Sequence, residues 1–230
     1  MQSQIRLMSA LPIKGAFDEE IGPALNAMGC QVSTEWLPTT LILEKLKANQ
    51  PCDVVFALTE SLDDLIAGGK ILSSSRRDVV TSRYGVAVQA GAPHPRIDTL
   101  DAFVASLKSA RSVAFSQTGA SGIYFASVLK KLGLDEEIRR RATIISSGLV
   151  AETLLSGAAD LAIQQISELM SVPGIEIVGP FPDEVQQQIS FSAGVTALTS
   201  DIESSRTLVA MLVDPRFRAI YQQYGLTLRF

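Results

Sequence analysis

The chain has 230 residues, 47% of them hydrophobic and 19% charged, and its formal net charge is −4. This composition is typical of a folded globular protein and argues against disorder. Its lysines and arginines are scattered, which argues against a nucleic-acid surface, and no apolar run approaches the roughly 20 residues that cross a bilayer. We therefore expect a small-molecule ligand, with no nucleic acid and no membrane insertion.

The first residues, Met1–Leu7, pass directly into a strand pattern without the basic and apolar regions of a secretory leader. Two interpretations stay open: the protein is cytoplasmic, or it is periplasmic and its leader has been removed.

The cysteines do not distinguish a cytoplasmic from a periplasmic location. Cys30 and Cys52 each precede a predicted strand. If a third strand lies between those two, the Cα atoms are about 10 Å apart, which exceeds disulfide reach, so we expect free thiols.

Strand-like apolar runs alternate with helical patterns along the chain, which predicts an α/β fold with a mainly parallel sheet and helices on both faces. The run Cys52–Leu58 is nearly continuous, as expected of a strand buried on both faces. The first series has strands near 5–8, 31–36 and 53–58 and helices near 14–28, 40–48 and 61–67.

Two long β-favouring segments, 79–89 and 190–198, enclose a second βα series whose first helix is capped by Asp98 or Thr99. Strands of this series are expected near 113–115, 143–145, 161–163 and 175–178. In these two segments the chain would pass from one lobe to the other and back, and a helical C-terminus follows. This pattern predicts two doubly wound lobes joined by a two-strand hinge. We expect lobe 1 to comprise residues 1–81 and 195–230 and lobe 2 residues 82–194, with a ligand cleft between them.

Several apolar runs end in neutral hydroxyls, amides and glycines where a helix begins. In an open α/β sheet such strand ends bind ligands, and helix N-termini there suit an anion. The alternative is that these residues are ordinary helix caps, with Ser121 capping the helix that follows it. The candidate ligand-binding residues are Ser9, Thr39, Thr40, Gln117, Thr118, Gly119, Ser121, Gly122, Ser147, Gly148, Gln164 and Gln165.

Two cations are candidate anchors for the anion. Lys14 lies in the first turn of the first helix, where it either extends into solvent or counters the ligand. Arg83 lies in the first crossing segment, where it either points into the cleft or forms a surface ion pair with Asp78. A guanidinium suits bidentate binding of a carboxylate.

Nothing in the chain matches a hydrolytic apparatus. The only histidine, His94, lies in a proline-flanked turn where we expect it to be exposed, so no Ser-His-Asp triad forms. No cluster of His, Cys and Asp has metal-ligand spacing, and we predict neither a metal nor a cofactor. Glu168 follows the glutamine pair by one helical turn and is either an acid/base group or part of a solvated helix face.

Across nearly its whole length the chain resembles the periplasmic molybdate-binding-like (type II) solute-binding proteins of ABC importers. The segments that carry the resemblance are Pro51–Leu58, Ala120–Ala126 with Leu129 and Leu132–Leu134, Val150–Ile163, and Leu208–Gly225. The resemblance implies a hinge, a buried oxyanion held by neutral donors, a periplasmic location and an ABC importer as partner. In this chain Trp36–Thr40 replaces the family's Ser-Ser-Gly-type loop and Gln164-Gln165 its strand-end tyrosine, which suggests a larger, carboxylated ligand.

One branch of that family resembles aconitate isomerase, and Arg83–Val86, Gly148–Val150 and Gln164–Glu168 are closer to that branch. The main hypothesis is a binding protein that closes on a di- or tricarboxylate or an oxyanion. The alternative is a cofactor-free isomerase of cis- and trans-aconitate in the same cleft, whose catalytic residues stay unassigned. A third, the ligand-sensing domain of a transcription regulator, is disfavoured because the sequence has no DNA-binding helix pair.

Overall fold

The computed structural model describes residues 4–230, which form two compact units. The first, unit 1, contains the chain up to Thr81 together with Ile189–Phe230, and the second, unit 2, contains Ser82–Gln188. The second boundary therefore lies six residues before the one expected from sequence at 194/195. The reason is that the returning strand pairs within unit 1 from Phe191 onward, opposite Leu58.

Unit 1 is built on a parallel βαβ arrangement in which strand β1 is central. It pairs in parallel with β2 and β3, and β9 pairs antiparallel with β3. The chain end forms β10, which pairs antiparallel with β4. The strands are β1 (Ile5–Ser9), β2 (Val32–Trp36), β3 (Val54–Leu58), β4 (Arg77–Gln89), β9 (Gln188–Val195) and β10 (Thr227–Leu228). The helices are α1 (Lys14–Ala16), α2 (Gly22–Ala27), α3 (Thr39–Lys47), α4 (Thr59–Ala67), α10 (Ile202–Leu212) and α11 (Arg218–Gln223).

Alternate residues of β3 bury apolar side chains on opposite faces of this sheet, as a strand covered on both sides requires. Val54 and Phe56 pack with α10 and α11, and Val55 and Ala57 pack with α3 and α4. The continuous apolar run predicted to be doubly buried is therefore confirmed.

The first helical segment is irregular, although the sequence predicts one helix over 14–28. A 3-10 turn at Leu11–Ile13 leads into α1, a π turn occupies Phe17–Ile21, and α2 follows. Pro23 stands in the first turn of α2 and has no amide N–H, so the regular hydrogen-bond ladder cannot continue through it.

Unit 2 has the second half of β4 paired with β7 on one side and β8 on the other, and β5 lies between β7 and β6. Its remaining strands are β5 (Val113–Ser116), β6 (Thr143–Ile145), β7 (Leu161–Gln165) and β8 (Ile175–Pro180). Its helices are α5 (Leu100–Ser109), α6 (Ala120–Lys131), α7 (Asp135–Arg139), α8 (Glu152–Leu155) and α9 (Ile166–Met170). Of the two candidate caps of α5, Asp98 and Thr99, the N-cap is Thr99, whose Oγ1 accepts a hydrogen bond from the Ala102 amide at 3.2 Å.

The two faces of the unit 2 sheet differ in composition. One is covered by small and branched residues, including Leu154 of α8, Leu169 of α9 and Val150 of the loop before α8. The other carries rings, among which Phe115 and Phe125 lie 5.3 Å apart. The hydrophobic core of unit 2 is therefore aromatic on one face of its sheet and aliphatic on the other. None of the helices within 4–230 is long and apolar enough to cross a membrane.

Candidate functional site

In unit 1, polar side chains gather where the parallel strands β1, β2 and β3 end. Ser9 is fully buried and its hydroxyl donates to the Ala10 carbonyl at 2.9 Å. Thr39 is buried at the start of α3, and its Oγ1 accepts a hydrogen bond from the Leu58 amide at 3.4 Å. Thr40, the next residue, is exposed. Neither threonine is the N-cap, which is Pro38, so the plain-cap interpretation is wrong for both.

Lys14 does not simply extend into solvent. Its ammonium forms an ion pair with Asp18, one turn along the helix, and lies 5.2 Å from the centroid of the Trp36 ring. Trp36 is the last residue of β2, so the lysine is held over the same edge of the sheet as Ser9 and Thr39. Its charge is already shared with a carboxylate, which weakens its role as an anchor for a further anion.

In unit 2, the loop 117–119 connects β5 to α6 and holds the start of that helix against the strand end. Gly119 is the N-cap and no side chain caps the helix, so the expectation that Ser121 caps it is wrong. Ser121 is instead a buried residue of the first turn. The first N–H groups of α6 therefore have no side-chain acceptor, which is the arrangement that suits an anion.

Gly122 makes this close approach possible. A Cβ at this position would lie 1.7 Å from the Ser116 carbonyl oxygen, and one at Gly119 would lie 2.5 Å from the Ser116 Oγ. The side chain of Gln117 is exposed, and the Thr118 hydroxyl donates to the Ser146 carbonyl at 2.7 Å. The structure therefore brings the predicted loops 117–122 and 146–148 of unit 2 together.

The two glutamines at the end of β7 have different partners. Gln164 accepts from the Val150 amide at 2.8 Å and donates to the Gly148 carbonyl at 2.9 Å, which closes the loop 148–150. Gly148 has φ of +106°, a conformation open to glycine, and Ser147 beside it is exposed. The amide of Gln164 therefore holds this loop.

Gln165 faces a carboxyl group instead. Its Nε2 donates to Glu168 Oε1 at 3.0 Å, and its own Oε1 is buried without a partner among the described residues. Glu168 is only 5% exposed, so the solvated-helix-face interpretation is wrong. Burial raises the pKa of Glu168 to about 8, and hydrogen bonding from the Gln164–Gln165 pair opposes that rise in part.

Tyr84 is a residue of this site that sequence reasoning missed. It is the direct cross-strand partner of Gln165, so both side chains lie on one face of the sheet. The ring is 2% exposed and stacks on that of Tyr124 with centroids 4.7 Å apart. Burial raises the pKa of Tyr84 well above its usual value, and the nearby Glu168 charge adds to the shift. Only the strand register reveals this pair, and no local pattern encodes it.

Arg83 lies apart from these loops. It lines a cavity of about 780 Å³ with residues 94–98 and 178–184, whereas Gln117 and Gly122 line another of about 680 Å³ beside α6. The predicted surface pair with Asp78 is wrong, because Asp78 is held by Arg76 at 2.9 Å and Arg229 at 3.1 Å. Among residues 4–230 the Arg83 guanidinium has no hydrogen-bond or ion-pair partner.

The remaining sequence expectations concern groups outside the strand ends. His94 is exposed as predicted and lies 2.8 Å from Glu176. Cys30 and Cys52 are free thiols, also as predicted. Within the described part of the chain, no group of three His, Cys, Asp or Glu residues is arranged to hold a metal ion.

Known proteins are similar to this chain in sequence and in fold. The profile of the bacterial extracellular solute-binding proteins matches residues 5–227. An aconitate isomerase from Pseudomonas sp. is 36% identical over 214 residues, which cover 90% of this chain and 81% of that protein. The periplasmic molybdate-binding protein of Azotobacter vinelandii is 21% identical with a TM-score of 0.80, over 98% of this chain and 100% of its own. A tungstate ABC transporter structure from Geobacter sulfurreducens is 14% identical with a TM-score of 0.71, over 96% and 99%.

The chain belongs to the bacterial extracellular solute-binding protein family. The resemblance to molybdate-binding-like proteins is thereby confirmed, as is an α/β fold of the type II periplasmic-binding-protein class. Family members of this kind bind small solutes, including oxyanions.

Proposed function

We propose that this protein binds a small carboxylated anion and interconverts cis- and trans-aconitate, with Glu168 moving the proton. One observation carries the proposal: where β7 ends, the buried carboxyl group of Glu168 accepts a hydrogen bond from Gln165 at 3.0 Å, and burial raises its pKa. Strongly shifted carboxyl groups at strand ends are typical of acid/base sites. The 36% identity to a protein named as an aconitate isomerase supports the same choice.

The reaction is an allylic proton shift that needs no net gain or loss of atoms. A C–H bond of the substrate methylene breaks, and the proton goes to a Glu168 carboxylate oxygen. The electron pair spreads over the allylic unit into the adjoining carboxylate. The proton then returns from Glu168 to the former vinylic carbon, and the double bond has moved. Because burial raises the pKa of Glu168 to about 8, this carboxyl group can both take and return a proton near neutral pH.

The anion is proposed to be held mainly by neutral donors. These are the uncapped first turn of α6 and the loop 117–119, both in unit 2. Arg83 lines a separate cavity, so no contact with this anion is proposed for it.

The test is incubation with trans-aconitate, with cis-aconitate followed by chromatography. Wild-type protein is expected to turn over substrate. Glu168→Gln is expected to lose a factor of about 10²–10⁴ in kcat and to retain binding of the saturated tricarboxylate tricarballylate, because only the proton carrier is removed. Glu152→Gln, a change of the same type in the nearby helix α8, serves as the control. No turnover by wild type, or full turnover by Glu168→Gln, would contradict the proposal.

A second candidate is a transport protein that delivers an oxyanion to an ABC importer from the periplasm. The TM-score of 0.80 to a periplasmic molybdate-binding protein favours it. A thermal-shift screen of molybdate, sulfate, citrate and the aconitates separates the two. Stabilisation by molybdate alone, without turnover of aconitate, would select the transport function over the isomerase.

A further inference from the structure

Tyr84 is close enough to Glu168 for the charge of that carboxyl group to raise the pKa of the phenol, and no described residue forms a hydrogen bond with the Tyr84 hydroxyl. Tyr84 and Gln165 are direct partners on antiparallel strands, and Gln165 Nε2 donates to Glu168 at 3.0 Å. The Tyr84 ring is fixed by its stack on Tyr124, with an interplanar angle of 16°. Among residues 4–230 the Tyr124 hydroxyl donates to the Val185 carbonyl at 2.9 Å, whereas the Tyr84 hydroxyl has no partner.

Other polar atoms around this pair are also buried and unsatisfied. Ser82 shares the face of Tyr84, because the two residues alternate along β4, and its Oγ has no partner within the described chain. The same holds for Gln165 Oε1 and for the Ser167 hydroxyl beside Glu168. Buried polar groups are nearly always hydrogen-bonded. Unsatisfied hydroxyl and amide groups on these neighbouring elements therefore indicate that a polar ligand binds here.

Resting on the isomerase function proposed above, we propose that Tyr84 is a second catalytic group. Its hydroxyl donates a hydrogen bond to the substrate oxygen that gains negative charge when Glu168 removes the allylic proton. Tyr84 keeps its own proton throughout, and Glu168 takes and returns the single proton that moves, so the reaction balances. A fixed donor aimed at developing charge in a water-poor site is worth more than the same donor in water.

The ionisation state of Tyr84 fits this role. Burial and the neighbouring Glu168 both raise the pKa of the phenol, so it remains a donor over the whole pH range in which Glu168 ionises. A phenol that ionised near neutral pH would lose the hydrogen and repel the developing anion.

The stacked pair supplies its own matched control. Tyr84→Phe removes only the unoccupied hydroxyl, and Tyr124→Phe removes only the hydroxyl bonded to Val185, with the ring stack retained in both. We expect Tyr84→Phe to lower kcat for aconitate by about 10²–10³ with KM changed less than threefold, and Tyr124→Phe to leave kcat within threefold. The rise of kcat/KM with pH near 8 stays in both variants, because Glu168 is unchanged.

A binding measurement separates charge stabilisation from a structural role. The nitronate of 3-nitropropionate carries its negative charge on oxygens that imitate the intermediate, whereas tricarballylate imitates the ground state. Calorimetric titration is expected to show a loss of about 10²-fold in nitronate affinity for Tyr84→Phe with tricarballylate affinity unchanged. Equal losses for both ligands, or wild-type kcat in Tyr84→Phe, would overturn the role of Tyr84 while leaving the isomerase intact. Absence of turnover by wild type would overturn both.

Discussion

Gln164 and Gln165 are adjacent on β7, and their side chains leave the strand in opposite directions. The side-chain amide of Gln164 accepts one hydrogen bond from the backbone of the loop 148–150 and donates one to it. Gln165 donates to Glu168 and keeps an unpartnered buried oxygen. At the scale of single residues, strand alternation therefore divides one dipeptide into a loop holder and a member of the proposed site.

The raised pKa of Glu168 makes stability depend on pH in a defined direction. The folded state retains the proton up to about pH 8, whereas the unfolded carboxyl group loses it near 4.5, its usual pKa. Stability from this group is therefore fully present below pH 4.5 and decreases as pH rises towards 8.

The measurement is urea unfolding of wild type and Glu168→Gln at several pH values. The variant cannot ionise at this position, so its stability relative to wild type is expected to increase from pH 5 to pH 8. A difference that stays constant over that range would show that Glu168 titrates normally.

Helix α6 and strand β5 form the element on which the unit 2 loops depend. The helix begins so close to the strand end that its first turn needs glycine where it passes the Ser116 carbonyl. The two glycines meet different atoms: Gly119 faces the Ser116 hydroxyl and Gly122 faces its backbone oxygen. Mutation can remove the Ser116 hydroxyl but not its backbone carbonyl. A second substitution at Ser116 should therefore relieve the clash at Gly119 and not the clash at Gly122.

We expect Gly119→Ala to destabilise the protein by about 1–3 kcal/mol. Gly122→Ala is expected to destabilise it by at least as much. Adding Ser116→Ala is expected to restore most of the stability of Gly119→Ala, because the nearest remaining atom is then the residue 116 Cβ at 3.5 Å. The same addition leaves Gly122→Ala unrescued, since its contact is with backbone at 1.7 Å. Thermal unfolding of the four variants decides this, and equal rescue of both would contradict the packing described.

At the scale of the whole molecule, each unit has its own core, and the chain end belongs to unit 1. Strand β10 pairs with β4 through Thr227 and Leu228. Arg229 then pairs with Asp78 at 3.1 Å, and Phe230 meets the Tyr221 ring edge-on at 6.4 Å. The last four residues of the chain therefore contact elements of unit 1.

Removal of residues 227–230 is therefore expected to loosen unit 1 selectively. Hydrogen-exchange mass spectrometry should show lost protection in peptides covering 77–81 and 218–226 and retained protection in β5 and β7. Arg229→Gln, which removes the ion pair but keeps β10, is expected to show a smaller loss in the same peptides. Comparable losses in both units would show that they unfold as one.

Much of this architecture could be predicted from sequence because its signals are local. Doubly buried strands such as β3 show as continuous apolar runs, and long helices such as α6 show as apolar stripes. The short helix α7 and the two-residue strand β10 were not predicted, and only the starts of α8 and α9 were, since elements of two to five residues are too short to display a period. The sequence likewise indicated which loops carry polar donors, but the interpretation of Ser121 as a cap failed because the N-cap is Gly119.

The chain's own sequence determined the alternation of strands and helices, the crossing segments, the neutral polar strand ends and the family. Tertiary structure alone decided the partners: Gln165 with Glu168, Tyr84 opposite Gln165, and Asp78 with Arg76 and Arg229 rather than Arg83. The reason is physical. Periodicity and turn chemistry act between near neighbours in the chain, whereas a carboxyl pKa depends on which distant strands exclude water from it.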